Sequence, residues 1–224
     1  MSKSMCGRFT LSAELEELQR AFPGVEFPPQ MAPRYNIAPS QPVAVITNQN
    51  PRKVDFFVWG LIPSWAKDPR IGQRLINARA ETLSQKPAFR GAFRYRRCCV
   101  LADGFFEWRR EGKTKIPHLV RLKSKMPFAM AGLWDRWQSP DGSEIFSCTI
   151  ITTDANELVQ SLHSRMPVIL PASAYSVWLG TPAADLEQLS ALLRPYPASE
   201  MELFAVSPSA NNPRWDRAEC IQPV

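Results

Sequence analysis

The residues best suited to chemistry lie near the start of the chain, in Met5-Cys6-Gly7-Arg8-Phe9. If the mature protein begins at Cys6, that residue carries a free α-amine and a thiol on adjacent carbons. Such a 1,2-aminothiol condenses with an aldehyde to an imine, and the thiol then closes the imine to a five-membered thiazolidine. An unperturbed α-amine has a pKa of roughly 7.7–8.0, so a useful fraction is neutral near pH 7, whereas a lysine at about 10.4 is far less ready. Gly7 lets the backbone approach a ligand closely or turn sharply, and Arg8 suits a phosphate. The same stretch fits a plainer role, with Cys6 a small apolar residue opening a β-strand. Composition alone favours that role.

Other candidates lie further along. Glu107, in Asp103-Gly104-Phe105-Phe106-Glu107-Trp108, is flanked by large aromatics. Such surroundings desolvate a carboxylate, raise its pKa and suit it to shuttle protons; a strand residue salt-bridged to Arg109 is the alternative. In strand alternation Phe105, Glu107 and Arg109 share one face, and Phe106 and Trp108 the other. Asn77, Arg79 and Glu81 share a face if Asn77–Thr82 is extended, which suits either orientation and clamping of a ligand or an ordinary surface strand. The sequence has two histidines, which excludes a His-rich metal site. His118 lacks polar neighbours and reads as structural or surface. His163, beside Ser164 and Arg165, would be a general acid or base if functional. Adjacent Cys98 and Cys99 do not have the spacing of a structural zinc site, so neither metal nor cofactor is expected.

The bulk properties are permissive. The chain has 224 residues, 45% of them hydrophobic, and can bury a core as one domain. No apolar run reaches the ~20 residues of a membrane span. Five cysteines without regular spacing argue for a reduced, cytoplasmic protein, and a monomer is expected. The net charge of +6 permits a polyanion partner. From Lys86 to Arg97 five basic residues interleave with Phe89, Phe93 and Tyr95, which fits either a single-strand groove or a basic face whose aromatics point into the core.

The elements that must position these residues are mostly short strands. Val43–Thr47, Val54–Trp59, Arg97–Leu101, Phe105–Arg109, His118–Leu122, Phe128–Leu133, Ile145–Thr152 and Leu203–Val206 have strand composition. Glu111-Gly112-Lys113 and Asp141-Gly142 supply hairpin turns. Helices are predicted over Leu11–Phe22 with Ser12 as N-cap, from Asp154 with a near capping box to Glu157, and over Ala172–Leu179 and Asp185–Leu193. Gly24–Pro42 is a proline-rich surface segment, and Trp59–Trp65 is an apolar loop of the kind that marks a contact surface. The fold class is therefore α+β: antiparallel mixed sheets or a partly closed β-barrel flanked by helices, in a single domain.

Six motifs, Met5-Cys6-Gly7-Arg8-Phe9, Tyr35-Asn36-Ile37-Ala38-Pro39, Trp59–Trp65, Asn77–Thr82, Asp103–Trp108 and Leu162–Pro167, occur in the order seen in the SOS response-associated peptidase (SRAP) family. In sequence this chain resembles that family, whose members crosslink to abasic sites in single-stranded DNA. The resemblance implies that Cys6 forms the thiazolidine with the ring-opened sugar and that Asn77 holds the Cys6 amine and backbone. It further implies that Glu107 moves protons around the amine and in reversal, and that His163 protonates the departing sugar oxygen. Arg8, Arg79 and Arg165 would grip phosphates. Asn36, Pro39 and Trp65 would hold or wedge the strand, Trp65 by stacking at a junction of single- and double-stranded DNA. The implied activity is crosslinking of a lyase type, with self-cleavage by Cys6 as thiol nucleophile; a thiol peptidase is the alternative. The family pattern begins Met-Cys-Gly-Arg, and here Met1-Ser2-Lys3-Ser4 precedes it. The expectation is an extension or removed segment over residues 1–4 and the SRAP-like domain over 5–224.

Overall fold

The computed structural model describes residues 6–112, 114–180 and 185–224. The strands are β1 (Phe9–Leu11), β2 (Arg34–Ile37), β3 (Pro42–Thr47), β4 (Val54–Trp59), β5 (Asn77–Arg79), β6 (Arg97–Ala102) and β7 (Gly104–Glu111). They continue as β8 (Thr114–Leu122), β9 (Phe128–Gln138), β10 (Glu144–Asp154), β11 (Arg165–Pro167), β12 (Ile169–Leu170) and β13 (Met201–Ala205). The α-helices are short: α1 (Leu15–Ala21), α2 (Arg90–Tyr95), α3 (Glu157–Gln160), α4 (Tyr175–Trp178) and α5 (Leu186–Ala191).

Two sheets organise these elements. In one, β10, β4, β3, β6 and β9 pair in turn and β9 pairs back to β10, so five strands close on themselves. Closure leaves no edge in that ring. It also explains why β6 is buried at every position: a strand covered on both faces reads as a continuous apolar run. Strands β5 and β11 add to the C-terminal half of β10, and β12 to β9. The second sheet is open and antiparallel, in the order β13-β8-β7-β1-β2. Phe9 of β1 meets Trp59 of β4 edge to face, centroids 5.1 Å apart, which joins the sheets through one core. The expected α+β class holds, with full closure of the ring and parallel pairing of β10 with β4 and β5 as its particulars.

Several local expectations give way to tertiary contacts. The helix predicted from Leu11 starts at Leu15, because Leu11 pairs in β1 and Ser12 caps nothing. Instead the Ser12 N–H, the Ser12 hydroxyl and the Ala13 N–H all donate to Asp103 Oδ2, at 2.6, 2.9 and 2.8 Å. The Thr10 hydroxyl takes the other carboxylate oxygen. Glu14 becomes the N-cap through a capping box with Glu17. Likewise Asp154 ends β10 opposite Arg165, and Asn156 caps α3 with its side chain accepting from the Val159 N–H.

Only Asn77–Arg79 of the next motif is extended, since Ala80–Thr82 turns as a 3-10 helix. In the basic-aromatic run Phe89 and Phe93 are buried. Arg97 is buried as well, donating to the carbonyls of Phe93, Arg94, Trp178 and Gly180. The core reading thus wins for most of that run. Gly142 makes the expected turn at φ +87°, and Gly112 sits at φ +60°; Lys113 of that turn lies outside the described residues.

The Trp59–Trp65 loop is mostly interior rather than an exposed apolar surface. Leu61, Ile62 and Pro63 are buried. The Ile62 N–H donates to the Ser147 hydroxyl at 2.8 Å and the Ser64 N–H to the buried Asp135 carboxylate at 3.0 Å. Only its end reaches solvent, where Trp65 is 58% exposed.

Asp103 gathers charge-assisted bonds that tie the segment after β1 to the start of β7. Asp103→Ala is expected to cost about 2–3 kcal/mol, read as a lower urea midpoint at unchanged slope.

Candidate functional site

β1 and β7 lie side by side, Phe9 opposite Phe105 and Thr10 opposite Gly104. This register brings Cys6, three residues before β1, alongside Glu107. The alternation predicted for β7 is observed. Phe105 enters the main core, Phe106 faces a smaller cluster with Trp108 packed against it, and Glu107 faces Cys6. Arg109 pairs with Glu111 at 3.0 Å and not with Glu107.

Cys6 is held on three sides. Its carbonyl accepts from Asn77 Nδ2 at 3.1 Å. Its own backbone N–H donates to the Glu107 carboxylate, which also takes the Trp108 N–H. The Arg8 backbone N–H points to its thiol. Cys6 is 1% exposed and Glu107 4%. Burial pushes Glu107 up to about 8, against the opposing pull of the two N–H groups. Burial, and then the Glu107 charge, raise the Cys6 thiol well above its ordinary range. The site therefore keeps a carboxyl ready to exchange protons near neutral pH, and the sulfur as a thiol rather than a thiolate.

Above this pair opens a cleft of about 920 Å³, walled by Gly7, Arg8, Glu107 and Trp108 on one side and by Gln160–Ser164, His163 included, on the other. His163 Nδ1 lies 3.0 Å from the Arg165 N–H and 3.2 Å from the Arg165 carbonyl, so the Arg165 backbone holds the ring in the cleft wall. Arg8 Nη1 donates to Asn36 Oδ1 at 2.7 Å and to the Ala210 carbonyl at 3.1 Å, and its guanidinium lies 5.7 Å from the Trp108 ring centroid. Asn36 is fully buried; its amide donates to the carbonyls of Asn212 and Trp215. Asn36 itself does not line the cleft, but Arg8, which it holds, does.

The remaining candidates stand further out. Arg79 is exposed at the end of β5. Arg165 gives Glu81 a bidentate pair at 2.8 and 3.0 Å, and bonds Asp154 and the Thr152 carbonyl. Burial works against the charged Glu81, but these bonds hold its carboxyl below the usual range. Pro39 is half-buried beside Ser40, whose φ is +70°. Trp65 lines a separate groove of about 460 Å³ with Arg90, Arg96 and Pro87. Arg110, Lys115 and Asn211 also line the main cleft. Arg110 and Lys115 reach it through the local β7–β8 pairing, whereas Asn211 is hidden in the sequence because the bonds that bring it there span 103 and 96 positions.

The model of the family described as SOS response associated peptidase (SRAP) matches residues 5–213, and the chain belongs to that family. A curated relative, the abasic site processing protein YoqW of Bacillus subtilis strain 168, is 46% identical over 222 residues, covering 97% of this chain and 99% of that protein. The abasic site processing protein HMCES of Gallus gallus is 35% identical over 190 residues, covering 74% of this chain and 56% of its own. A crystal structure of a protein from Bacteroides thetaiotaomicron superposes with a TM-score of 0.88 at 29% identity, covering 98% of this chain and all of that one.

Because folding raises the Glu107 pKa to about 8, the folded state holds a proton that the unfolded chain releases near its ordinary value of about 4.3. Its contribution to stability is present below that value and is lost as pH rises towards 8. With Cys6 in peptide linkage, urea unfolding is expected to show Glu107→Gln gaining on wild type by a few kcal/mol between pH 5 and pH 8. The scale is about 1.4 kcal/mol for each tenfold difference in proton affinity between the folded and unfolded chain.

Proposed function

We propose that the protein processes abasic sites in DNA by trapping the ring-opened sugar on Cys6, once Cys6 is the first residue. The observation that supports this best is the burial of Glu107 against the Cys6 nitrogen at the floor of a basic cleft. A free α-amine at that nitrogen would face a carboxyl able to accept its proton, and the amine and carboxyl would titrate as a pair.

The steps balance without any cofactor. His163 donates a proton to the sugar ring oxygen as the C1′–O4′ bond breaks, and the C1′ hydroxyl gives up its proton to water, leaving the aldehyde. The neutral Cys6 amine attacks C1′, Glu107 relays the protons, and water leaves as the imine forms. The thiol then adds to the imine carbon, its proton passing to nitrogen, and the thiazolidine closes. A thiol kept protonated by burial suits this order, since the sulfur need act only after the imine exists. Asn77 fixes the Cys6 carbonyl and so the direction of the amine. The same groups in reverse would release the link.

Arg8 faces the cleft and could give a phosphate the donors it does not spend on Asn36 and Ala210. Arg79 would serve a neighbouring phosphate. Arg165 would have to exchange Glu81 or Asp154 for one, so its first duty is to hold the His163 turn. The strand would be single where the lesion enters, because a site without a base leaves room for a nucleophile only when the backbone can kink. The Trp65 groove and Pro39 would meet the strand or a duplex junction outside the cleft.

Self-processing is a second reading, and the N–H of the Met5–Cys6 peptide at Glu107 favours it. The Cys6 thiol would attack the Met5 carbonyl. The C–N bond breaks as C–S forms, the amine leaves with the thiol proton, and water hydrolyses the thioester. This cuts one bond of the chain itself and prepares the aminothiol.

Protein verified by intact mass to begin at Cys6 is expected to give a denaturation-resistant adduct with single-stranded abasic DNA. Cys6→Ala gives none, and Glu107→Gln and His163→Ala slow it by about 10²-fold or more. No adduct from the verified protein would overturn the proposal. Chain retaining residues 1–5 should bind without linking.

A further inference from the structure

The β7–β8 ribbon carries groups that the Cys6 chemistry leaves unused. Arg110 and Lys115 face each other in register, both exposed, and both line the cleft beyond Trp108. Arg109, next in the strand, pairs with Glu111 at 3.0 Å, both about half exposed. Such an exposed pair contributes little and is readily exchanged for another anion. Among the described residues lining the cleft, the one acid is Glu107. The wall thus carries cations from Arg8 to the Arg110–Lys115 pair.

A two-stranded ribbon is weakly stable alone, and at the base of this one a side chain bridges its two strands. Asn211 Oδ1 accepts from the Trp108 indole N–H at 2.7 Å, while its Nδ2 donates to the Lys115 carbonyl at 3.2 Å, so one amide spans both strands. The segment bearing Asn211 is itself fixed. The Ala210 carbonyl takes Arg8, and Asp216 accepts the N–H groups of Tyr35 and Asn36. Tail, ribbon and Arg8 therefore form one frame.

We propose that the ribbon is a phosphate-binding arm that grips the DNA backbone beyond the nucleotides flanking the lesion, with Asn211 as the residue that positions it. The partner is a nucleic-acid strand because Arg and Lys along a cleft continuous with Cys6 match regularly spaced phosphates. The inference rests on the proposed function, in that the strand in the cleft is DNA.

The test uses protein beginning at Cys6 and single-stranded oligonucleotides carrying either an abasic site or a stable tetrahydrofuran analogue. Arg110→Ala/Lys115→Ala is expected to make the slope of log affinity against log salt shallower by about 0.7 for each phosphate no longer neutralised. The loss falls on the half-saturating DNA concentration and not on the adduct rate at saturation. It disappears when the oligonucleotide is trimmed on the side the arm reaches. An unchanged slope, or an equal loss on trimmed and full-length strands, would overturn the arm.

Asn211→Ala is expected to reproduce the affinity loss at unchanged melting temperature, and to add little in a Trp108→Phe background. An equal cost in both backgrounds would remove Asn211's positioning role. If wild type forms no adduct but the slope still responds, the arm stands and the crosslinking proposal falls; an adduct with an unmoved slope has the opposite meaning.

Discussion

The structure turns on a carboxyl group buried against the backbone nitrogen of Cys6. Glu107 is 4% exposed, and its Oε1 has no hydrogen-bond partner among the described residues. An ionised group so placed would be costly, so burial instead shifts it towards its neutral form. A fold selected for stability alone would fill this position with an apolar side chain. Retaining an acid here makes sense when the group facing it is an amine that must lose and regain a proton, since each then relieves the other's burial.

Much of the remaining architecture fixes the geometry of that meeting. The β1–β7 register sets Cys6 beside Glu107, and Asp103 locks the turn that follows β1. Asn77 arrives on a short strand that pairs parallel to β10, and β11, carrying Arg165 and following His163, pairs antiparallel to the same strand. One long strand of the closed ring thus carries both the residue that aims Cys6 and the turn that holds the proposed acid. The ring supports a site whose groups, Cys6, Asn77, Glu107 and His163, come from four separate stretches of sequence.

The sequence reveals these parts unevenly. Period-two alternation in Phe105–Arg109 places Glu107 on the face opposite Trp108, and the aromatic flanks foretell its burial, because both signals are local. Strands β3, β4, β6 to β10 and β13 were legible for the same reason, whereas β2 lies in a segment whose prolines read as surface, and β1, β11 and β12 are too short to show a period. Closure of the ring and the parallel pairing of β4 and β5 with β10 were not, since they depend on contacts distant in sequence. Ser12 has the composition of an N-cap, yet an acid 91 positions away claims it. Phe89 and Phe93 have the composition of a stacking surface, yet their ring faces go to the core. Asn36 stands in a motif and proves to be a buried brace for Arg8, while Asn211, in a tail with no distinctive pattern, reaches the cleft. Residue type tells what a side chain can do; only the packing tells whom it meets.

The most direct measurement is peptide mapping of the adduct formed with a single-stranded abasic oligonucleotide, by mass spectrometry after protease and nuclease digestion. The account predicts a linked peptide whose first residue is Cys6, with the mass of peptide plus sugar remnant less one water and no free thiol at that cysteine. A linkage on a lysine, or on a peptide that still carries Met5 ahead of Cys6, would contradict it.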